Sequence, residues 1–187
     1  MWLGDVEALV GEIEEFLTGT RRESVSDRVL ATILIGDVER STEHVVRLGD
    51  AAWRDLLGHF HQIARRQCDT FHGRDPHLAG DQLIAVFEGP VRAIRCAQSI
   101  QRDAEGLGLR LRAGIHTGEI EAGTTLSGLA VHIAARIAAM AQGNEILVSQ
   151  TVRDIVAGSK LSFADRGIHT LKGVPDARRI FCVTRPP

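Results

Sequence analysis

The sequence predicts an α+β fold, a sandwich in which helices pack on an antiparallel-rich sheet with a ferredoxin-like, split βαβ order. Short apolar runs typical of buried strands alternate with longer segments whose apolar residues recur at helical spacing. Two of the strands are joined directly by the tight turn Gly80-Asp81. A hairpin between two helical segments favours this arrangement over a doubly wound parallel sheet.

A helix and a linker precede the predicted domain. From Val6 to Leu17 apolar residues recur at helical spacing, and Gly19 closes that segment. The polar stretch after it has no periodicity and is typical of a linker. We therefore expect residues 1–27 to form an amphipathic helix and a linker, and residues 28–187 to form the folded domain.

The first half of the domain predicts a strand, a long helix, a hairpin and a second helix. These elements lie at about residues 29–36, 43–72, 75–88 and 90–105. Glycine at the first central position of the Gly80-Asp81 turn suits a type II′ turn. The long helix is indicated by apolar residues spaced for one buried face, namely Trp53, Leu56, Leu57, Phe60, Ile63, Ala64 and Cys68.

The second half of the domain repeats the pattern with shorter elements. Strands are predicted at residues 110–116 and 119–122, followed by a helix at 128–141 and a strand at 145–148. A short helix at 150–157 and three terminal strands ending at Val183 complete the chain. These elements supply the rest of the sheet and its covering helices.

Length and composition suit one globular domain and exclude several classes of protein. The chain has 187 residues, 44% of them hydrophobic, and a formal net charge of −2, so we expect no nucleic-acid partner. Aromatic residues, at 4%, are too few to form a base-stacking sheet. Three widely spaced cysteines, and the lack of an apolar stretch of roughly 20 residues, predict a reduced, cytoplasmic protein without a membrane span.

Two aspartates at different strand ends predict a divalent-metal site. Asp37 follows the apolar run Ile33-Leu34-Ile35-Gly36, and Asp81 lies in the hairpin turn. Neighbouring carboxylates repel unless a cation lies between them, and two magnesium ions about 4 Å apart suit in-line displacement at phosphorus. The alternative is that Asp37 precedes a helix cap and Asp81 is a turn residue, since aspartate is common at both positions.

The segment after Asp37 predicts an anion site. Ser41 or Thr42 can cap the following helix, whose first-turn amides would receive phosphate groups. Capping without a ligand explains both residues equally well. Arg40 either binds phosphate or blocks the close backbone approach that a smaller residue would allow.

A later helix presents His132 and Arg136, which are four residues apart and therefore project from the same side. Val131, Ile133 and Ile137 pack the helix onto the domain. An arginine in this place can stabilise charge on a phosphoryl group in the transition state. The alternative is a solvated or salt-bridged arginine beside a satisfied histidine.

Together, the segments from about Arg28 to Val183 resemble the class III nucleotidyl cyclase catalytic domain, the adenylate and guanylate cyclase family. The resemblance rests on residues 31–37, 80–81, 111–119, 130–136 and 171–175, and residues 145–149 and 165–167 are similar to the actinobacterial branch. The N-terminal helix resembles the segment that joins an α/β-hydrolase domain to a cyclase domain in some bacterial fusions. This similarity implies a covalently attached hydrolase domain in a longer protein.

The resemblance implies a head-to-tail homodimer with active sites in the interface and two Mg²⁺ or Mn²⁺ ions at each site. Asp37 and Asp81 match the metal-binding aspartates of one subunit, and Arg136 matches the transition-state arginine of the other. The implied reaction is attack of the ribose 3′-hydroxyl on the α-phosphate of a nucleoside triphosphate, giving a 3′,5′-cyclic nucleotide and pyrophosphate. Phosphate contacts are expected from Arg40, Ser41, Thr42 and Lys172.

Five positions depart from the usual pattern of the family. His77 replaces a base-contacting lysine and Thr125 replaces its partner aspartate, so base choice should be relaxed. His132 replaces the transition-state asparagine, as is usual in the hydrolase-fused branch. Arg40 replaces a phosphate-loop glycine, and Gln82 replaces the glycine after the second metal aspartate. Both changes affect the geometry of the active site, and a displacement of about 1 Å there can cost roughly a hundredfold in rate.

Two functions follow from these residues. The intact metal aspartates and Arg136 favour a nucleotidyl cyclase of low activity that makes cyclic AMP from ATP and discriminates poorly against GTP. The departures at His77, Arg40 and Gln82 favour a degenerate cyclase homology module. Such a module would dimerise and bind nucleotide to regulate an attached domain, without turnover.

Overall fold

The structure is a computed structural model that describes residues 28–121 and 127–184. The predicted N-terminal helix and linker, and Thr125, lie outside the described residues. In chain order the elements are β1 (Arg28–Val38), α1 (Ser41–Leu48), α2 (Asp50–Thr70), β2 (Arg74–Ala79), β3 (Gln82–Phe87), α3 (Pro90–Glu105), β4 (Leu111–Glu121), α4 (Leu129–Met140), β5 (Ile146–Ser149), α5 (Gln150–Ile155), β6 (Ser162–Thr170) and β7 (Ala177–Thr184).

The strands form a seven-stranded sheet in the order β2-β3-β1-β4-β5-β7-β6. Strands β4 and β5 pair in parallel, and the other neighbours pair antiparallel. Strand β3 lies between β1 and β2, as a split βαβ unit requires. The predicted α+β class, with a ferredoxin-like and antiparallel-rich sheet, is confirmed.

Strand β1 lies inside the sheet because its sequence is apolar toward both faces. Residues 31–36 are all buried. Leu34 packs in one core with Phe60 of α2, whereas Ile33 packs on the other face with Ala134 of α4. Burying a side chain of this size stabilises the fold by about 1.5–3 kcal/mol. The end of β1, where Asp37 lies, is therefore firmly held.

Helix α4 approaches β4 closely because glycines line the strand beneath it. A Cβ added at Gly114 would overlap the backbone of Ala138, and one added at Gly118 would lie 3.0 Å from Ala130 Cβ. Only glycine permits this approach of helix to strand. The position of α4, in turn, determines where its outward-facing side chains lie.

The long helix predicted at 43–72 is two helices, and this prediction was wrong in that respect. Helix α1 ends at Leu48, α2 begins at Asp50, and Gly49 between them has φ 79° and ψ 161°. Glycine is essentially the only residue that adopts this conformation. The break depends on the backbone angles of one residue, which helical periodicity does not reveal.

Two strand boundaries also differ from the prediction. The strands predicted at 110–116 and 119–122 are the single strand β4, which pairs with β1 from Arg28 opposite Glu121 to Val38 opposite Leu111. Two terminal strands replace the predicted three, because β6 continues through a bulge between Asp165 and Ile168. In both places pairing with a long neighbour keeps the chain extended.

The hairpin has the predicted turn. Ala79 lies opposite Gln82, Gly80 has φ 58°, and Asp81 does not have a positive φ. A positive φ at the first central residue alone is the mark of a type II′ turn. The prediction is confirmed, and Asp81 lies at the tip of the hairpin.

The cysteines Cys68, Cys96 and Cys182 are buried free thiols, as the sequence predicts. Within residues 28–121 and 127–184, no helix combines the length and the apolar character needed to span a membrane.

Candidate active site

The two predicted metal aspartates lie at the same end of neighbouring strands. Asp37 is the penultimate residue of β1, lies opposite Gln82 of β3 and has a side chain that is 25% exposed. Asp81 directly precedes Gln82 in the turn and is half-buried. The antiparallel register of β1 and β3 therefore brings the two carboxylates into the same region.

Arg112, to which the sequence analysis assigned no role, binds Asp37. The two residues lie directly opposite each other on β4 and β1. Arg112 Nε–H donates to Asp37 Oδ1, and Arg112 Nη2 donates to Asp37 Oδ2 at 3.1 Å. Strand register is a long-range property, so only an alignment of β4 on β1 could have revealed this pair.

A second carboxylate, Glu39, anchors the loop after β1. Its Oε1 accepts the Gly143 amide at 3.0 Å, and its Oε2 lies 2.6 Å from Arg110 Nη2. The Glu39 amide donates to the Arg110 carbonyl at 2.8 Å. These contacts join the loop after β1 to the loop after α4, and so fix the entry to α1.

Three carboxylates act on the Arg112 guanidinium. The pKa of Arg112 is raised, first by its hydrogen bond to Asp37, and then, against the effect of burial, by the negative charges of Asp37, Glu39 and Asp81. Arg112 is therefore held as a cation among three carboxylates at this end of the sheet.

The start of α1 differs from the prediction. Arg40, rather than Ser41 or Thr42, is the N-cap, and no side chain caps the helix. The prediction that Ser41 or Thr42 caps α1 was wrong, because both lie inside its first turn. Arg40 has a left-handed backbone, with φ 56° and ψ 37°. Its exposed side chain lies 3.6 Å from Glu43.

The predicted base-binding residues are only partly described. His77 is an exposed residue of β2 that lies opposite Ile84. Ile84 in turn lies opposite Ile35. Because side chains alternate along a strand, His77 lies on the same face of the sheet as Asp37. Thr125 lies outside the described residues.

His132, Arg136 and Lys172 lie together on another part of the surface. Both α4 side chains are exposed, whereas Ile133 and Ile137 are buried, so the predicted shared outward face is confirmed. Arg136 Nε–H donates to the Lys172 carbonyl at 3.2 Å. Lys172 is exposed in the loop between β6 and β7.

The predicted site residues thus form two groups on one chain. The Asp37 group is close to the β2–β3 turn, near one edge of the sheet, whereas Lys172 lies between β7 and β6 at the other edge. With neighbouring strands about 4.8 Å apart, Lys172 is separated across the sheet from β1 by roughly 17 Å and from the β2–β3 turn by roughly 24 Å. No hydrogen bond or ion pair within the described part of the chain joins the two groups.

The Asp37 group fits a divalent cation together with substrate oxygens. In the described ranges, 28–121 and 127–184, no three His, Cys, Asp or Glu side chains are placed to hold a metal ion. Magnesium, however, is usually bound by one or two carboxylates plus substrate phosphates. Asp37 and Asp81 supply such hard oxygen ligands, and the Arg112 guanidinium shows that a positive charge is accommodated there.

A family model for the adenylate and guanylate cyclase catalytic domain matches residues 25–184. The chain belongs to this family. An uncharacterized protein of Mycobacterium tuberculosis is 29% identical to this chain over 161 residues. The alignment covers 83% of this chain and 56% of that protein. The chain therefore spans about half the length of this curated relative.

Solved cyclase structures share the fold of this cyclase domain. The adenylyl cyclase CyaB of Pseudomonas aeruginosa has a TM-score of 0.81 at 21% identity, covering 86% of this chain and 96% of that chain. The guanylate cyclase domain of RhGC from Catenaria anguillulae, solved in complex with GTP, has a TM-score of 0.76 at 18% identity. That alignment covers 83% of this chain and 96% of that chain.

Proposed function

We propose that this cyclase domain converts ATP, and also GTP, to the 3′,5′-cyclic nucleotide and pyrophosphate, with low activity. The observation that supports this proposal best is the division of the site into two groups of complementary chemistry. One group offers the carboxylates Asp37 and Asp81, and the other offers the cations Arg136 and Lys172. A triphosphate bound to metal needs both kinds of group.

A head-to-tail homodimer would unite the two groups. Arg136 is bonded to the Lys172 backbone in the loop between β6 and β7, whereas Asp37 and Asp81 lie at the end of β1 and in the β2–β3 turn, and we infer that one chain does not close both groups around one nucleotide. In a two-fold symmetric dimer each contact occurs twice. Asp37 and Asp81 of one subunit would then face Arg136 and Lys172 of the partner subunit at each of two sites.

The proposed reaction is an intramolecular displacement at the α-phosphorus. The ribose 3′-oxygen forms a bond to this phosphorus as it loses its proton, and the bond to the oxygen of the leaving pyrophosphate breaks. Arg136, with His132 beside it, would donate hydrogen bonds to the phosphoryl oxygens, where removal of one such donor commonly costs about a hundredfold in rate.

The remaining chain groups would hold the triphosphate. The first-turn amides at Ser41 and Thr42 have no partner within the helix, and an uncapped helix N-terminus favours anions. Arg40 is exposed beside this turn. Mg²⁺ or Mn²⁺ bound by Asp37 and Asp81 would neutralise the triphosphate and polarise the attacking hydroxyl.

Relaxed base choice is part of this proposal. The similar structures are named as an adenylyl cyclase and as a guanylate cyclase with GTP, which together support a purine nucleoside triphosphate. His77, exposed on the same face of the sheet as Asp37, has no hydrogen bond or ion pair that would orient its ring within the described residues. A histidine without such a partner would discriminate weakly between adenine and guanine.

One observation favours a second function, a nucleotide-binding module without turnover. Both carboxylate oxygens of Asp37 already accept hydrogen bonds from Arg112. If this ion pair persisted in the bound state, the guanidinium would repel a metal ion at Asp37 and weaken its binding. The domain would then dimerise, bind nucleotide and regulate an attached domain, such as the α/β-hydrolase domain expected from the N-terminal helix.

A cyclase assay with mixed variants tests the proposal. The protein is incubated with ATP or GTP and Mn²⁺, and cyclic nucleotide is measured beside Asp37→Ala and Arg136→Ala. Each variant should be inactive alone, and an equal mixture should recover about a quarter of the activity, since half of the dimers are mixed and each has one intact site. Arg95→Ala, an exposed arginine on α3, is the matched control and should stay active.

One result would reject the enzyme, and another would reject the role of Arg136. Product from the unmodified protein that does not exceed product from Asp37→Ala would exclude turnover. A rise in melting temperature with ATP and Mn²⁺ would then support the nucleotide-binding module, because a ligand that binds only the folded state stabilises it. Full activity of Arg136→Ala would remove the assigned role of that residue.

A further inference from the structure

The Arg112–Asp37 pair is built into the sheet rather than formed by chance at its surface. The two residues are direct cross-strand neighbours in the antiparallel β1–β4 pair. Side chains in such positions lie close enough to interact. The guanidinium binds both oxygens of one carboxylate. This planar, bidentate geometry is available to arginine and not to lysine.

This pair lies in a partly dry region. The side chain of Arg112 is 35% exposed and that of Asp37 is 25% exposed. Hydrogen bonds between charged groups are stronger than neutral ones, and they are less screened where water is partly excluded. The pair is therefore stronger than an ordinary surface ion pair.

Within the described residues, the other carboxylates that act on Arg112 are Glu39 and Asp81. Glu39 is already bound by Arg110 and by the Gly143 amide. Asp81, the other nearby carboxylate, is itself a proposed metal ligand. A divalent cation on the remaining lone pairs of Asp37 would lie close to the Arg112 guanidinium and would be repelled by its charge.

We propose that Arg112 is a resident counter-cation that competes with divalent metal for Asp37 and so makes metal binding depend on bound nucleotide. This inference rests on the proposed function. Without nucleotide, Arg112 occupies both oxygens of Asp37 and metal affinity is low. When a triphosphate is present, its negative charge offers the guanidinium a new partner, and Asp37 becomes available to the metal.

Metal binding to the nucleotide-free protein tests this competition directly. Free Mn²⁺ is measured by electron paramagnetic resonance in titrations of the unmodified protein, Arg112→Gln and Arg110→Gln. Arg110→Gln is the matched control, because it removes the same charge beside Glu39 but leaves Asp37 paired. Arg112→Gln should raise Mn²⁺ affinity about tenfold more than Arg110→Gln does, the size expected for one charged hydrogen-bonded pair.

The double variant Asp37→Asn/Arg112→Gln locates the effect. It should lose the gain in Mn²⁺ affinity, because the freed carboxylate is then absent. Equal affinities of Arg112→Gln and Arg110→Gln would overturn the proposal. If circular dichroism shows that Arg112→Gln does not fold, Arg112→Met replaces it, since methionine is similar in length and also removes the charge. No gain in Mn²⁺ affinity in Arg112→Met would also overturn the proposal.

A non-reactive ATP analogue tests the dependence on nucleotide. The analogue should raise the Mn²⁺ affinity of the unmodified protein by a larger factor than that of Arg112→Gln, and equal factors would contradict the proposal. Failure of this inference and failure of the proposed function are distinguishable. A protein with the expected Mn²⁺ affinities but no product is not a cyclase, whereas an active cyclase with unchanged affinities lacks the competition.

Discussion

At the scale of single residues, Arg40 shows why a glycine is usual at this place in the family. Its φ of 56° is left-handed, a conformation that costs an L-residue roughly 1–2 kcal/mol. The side chain contributes little in return, since Arg40 and Glu43 are 62% and 69% exposed and exposed pairs are weak. The resemblance singled out this position, and the backbone angle supplies the reason.

We predict that Arg40→Gly is more stable than Arg40→Ala by about 1 kcal/mol. Glycine adopts the left-handed conformation without a Cβ clash and is a better N-cap than alanine. Both variants remove the same ion pair, so the difference between them isolates the backbone. Urea unfolding of the two variants checks it. Equal midpoints would show that the backbone at residue 40 relaxes.

The buried residue His116 should make the free energy of unfolding sensitive to acid. It is 5% exposed and hydrogen-bonds through Nδ1 to Ser149 Oγ at 2.8 Å. Burial, together with the positive charge of Arg178, lowers the pKa of His116 from 6.5 to about 4. Between these values the unfolded chain binds a proton that the folded chain does not bind. Stability should therefore fall as the pH drops from 6.5 to 4, by about 3 kcal/mol in total.

The measurement is the free energy of unfolding against pH for the unmodified protein and for His116→Gln. Glutamine can still hydrogen-bond to Ser149 but does not titrate, so the variant should lose this part of the pH dependence. Above pH 6.5 the two slopes should agree. His59→Gln, an exposed histidine of α2, is the control and should keep the unmodified profile. A slope unchanged in His116→Gln would contradict the prediction.

At the scale of elements, Gly49 determines that α1 and α2 are separate helices. Its angles lie in a region that only glycine adopts readily. The two helices then pack on each other, with His44 of α1 stacked on Trp53 of α2 at a centroid distance of 5.5 Å. The break thus sets the direction of α1 and the position of its first turn beside Asp37.

We predict that Gly49→Ala destabilises the domain by about 1–3 kcal/mol through backbone strain. Space is not the cause, since an added Cβ at Gly49 would contact nothing within 4 Å. Gly58→Ala is the matched control. Gly58 is also free of contacts but lies inside α2, where alanine should stabilise by about 0.5–1 kcal/mol. The melting temperature should fall in Gly49→Ala and rise in Gly58→Ala. A shift in the same direction in both variants would refute the role of Gly49.

At the scale of the whole molecule, the order of the strands places Asp81 and Lys172 far apart across the sheet. The Asp37 group lies beside the β2–β3 hairpin, whereas Lys172 lies between β7 and β6 at the opposite edge. In the proposed homodimer, activity would be a property of two chains. Stability and activity should therefore respond differently to dilution.

We predict that the specific activity falls about tenfold when the protein is diluted to about one-twentieth of the dimer dissociation constant, by mass action. Sedimentation velocity at the same concentrations should show the matching loss of dimer. The circular dichroism spectrum should stay unchanged, since the core of each chain is its own. Specific activity that is independent of concentration, in a protein shown to be monomeric, would exclude the composite site.

Local patterns in the sequence determined most of the elements and several orientations. Apolar runs placed the strands, Gly80 determined the hairpin turn, and the spacing of His132 and Arg136 placed both on one exposed face. These features depend on residues close together in the chain, where the physical rules are short-ranged. The break at Gly49 was not predicted, because hydrophobic periodicity depends on which side chains are apolar and carries no information about backbone angles.

Tertiary structure alone decided which of these residues meet. The register of β1 against β4 places Arg112 beside Asp37. The order of the strands places Lys172 near the edge of the sheet, far from Asp81. Register and strand order arise from contacts between residues far apart in the chain, so no local pattern contains them. The sequence by itself therefore determined the chemical groups of the candidate site, whereas the fold determined that one carboxylate is already paired and that the groups are divided.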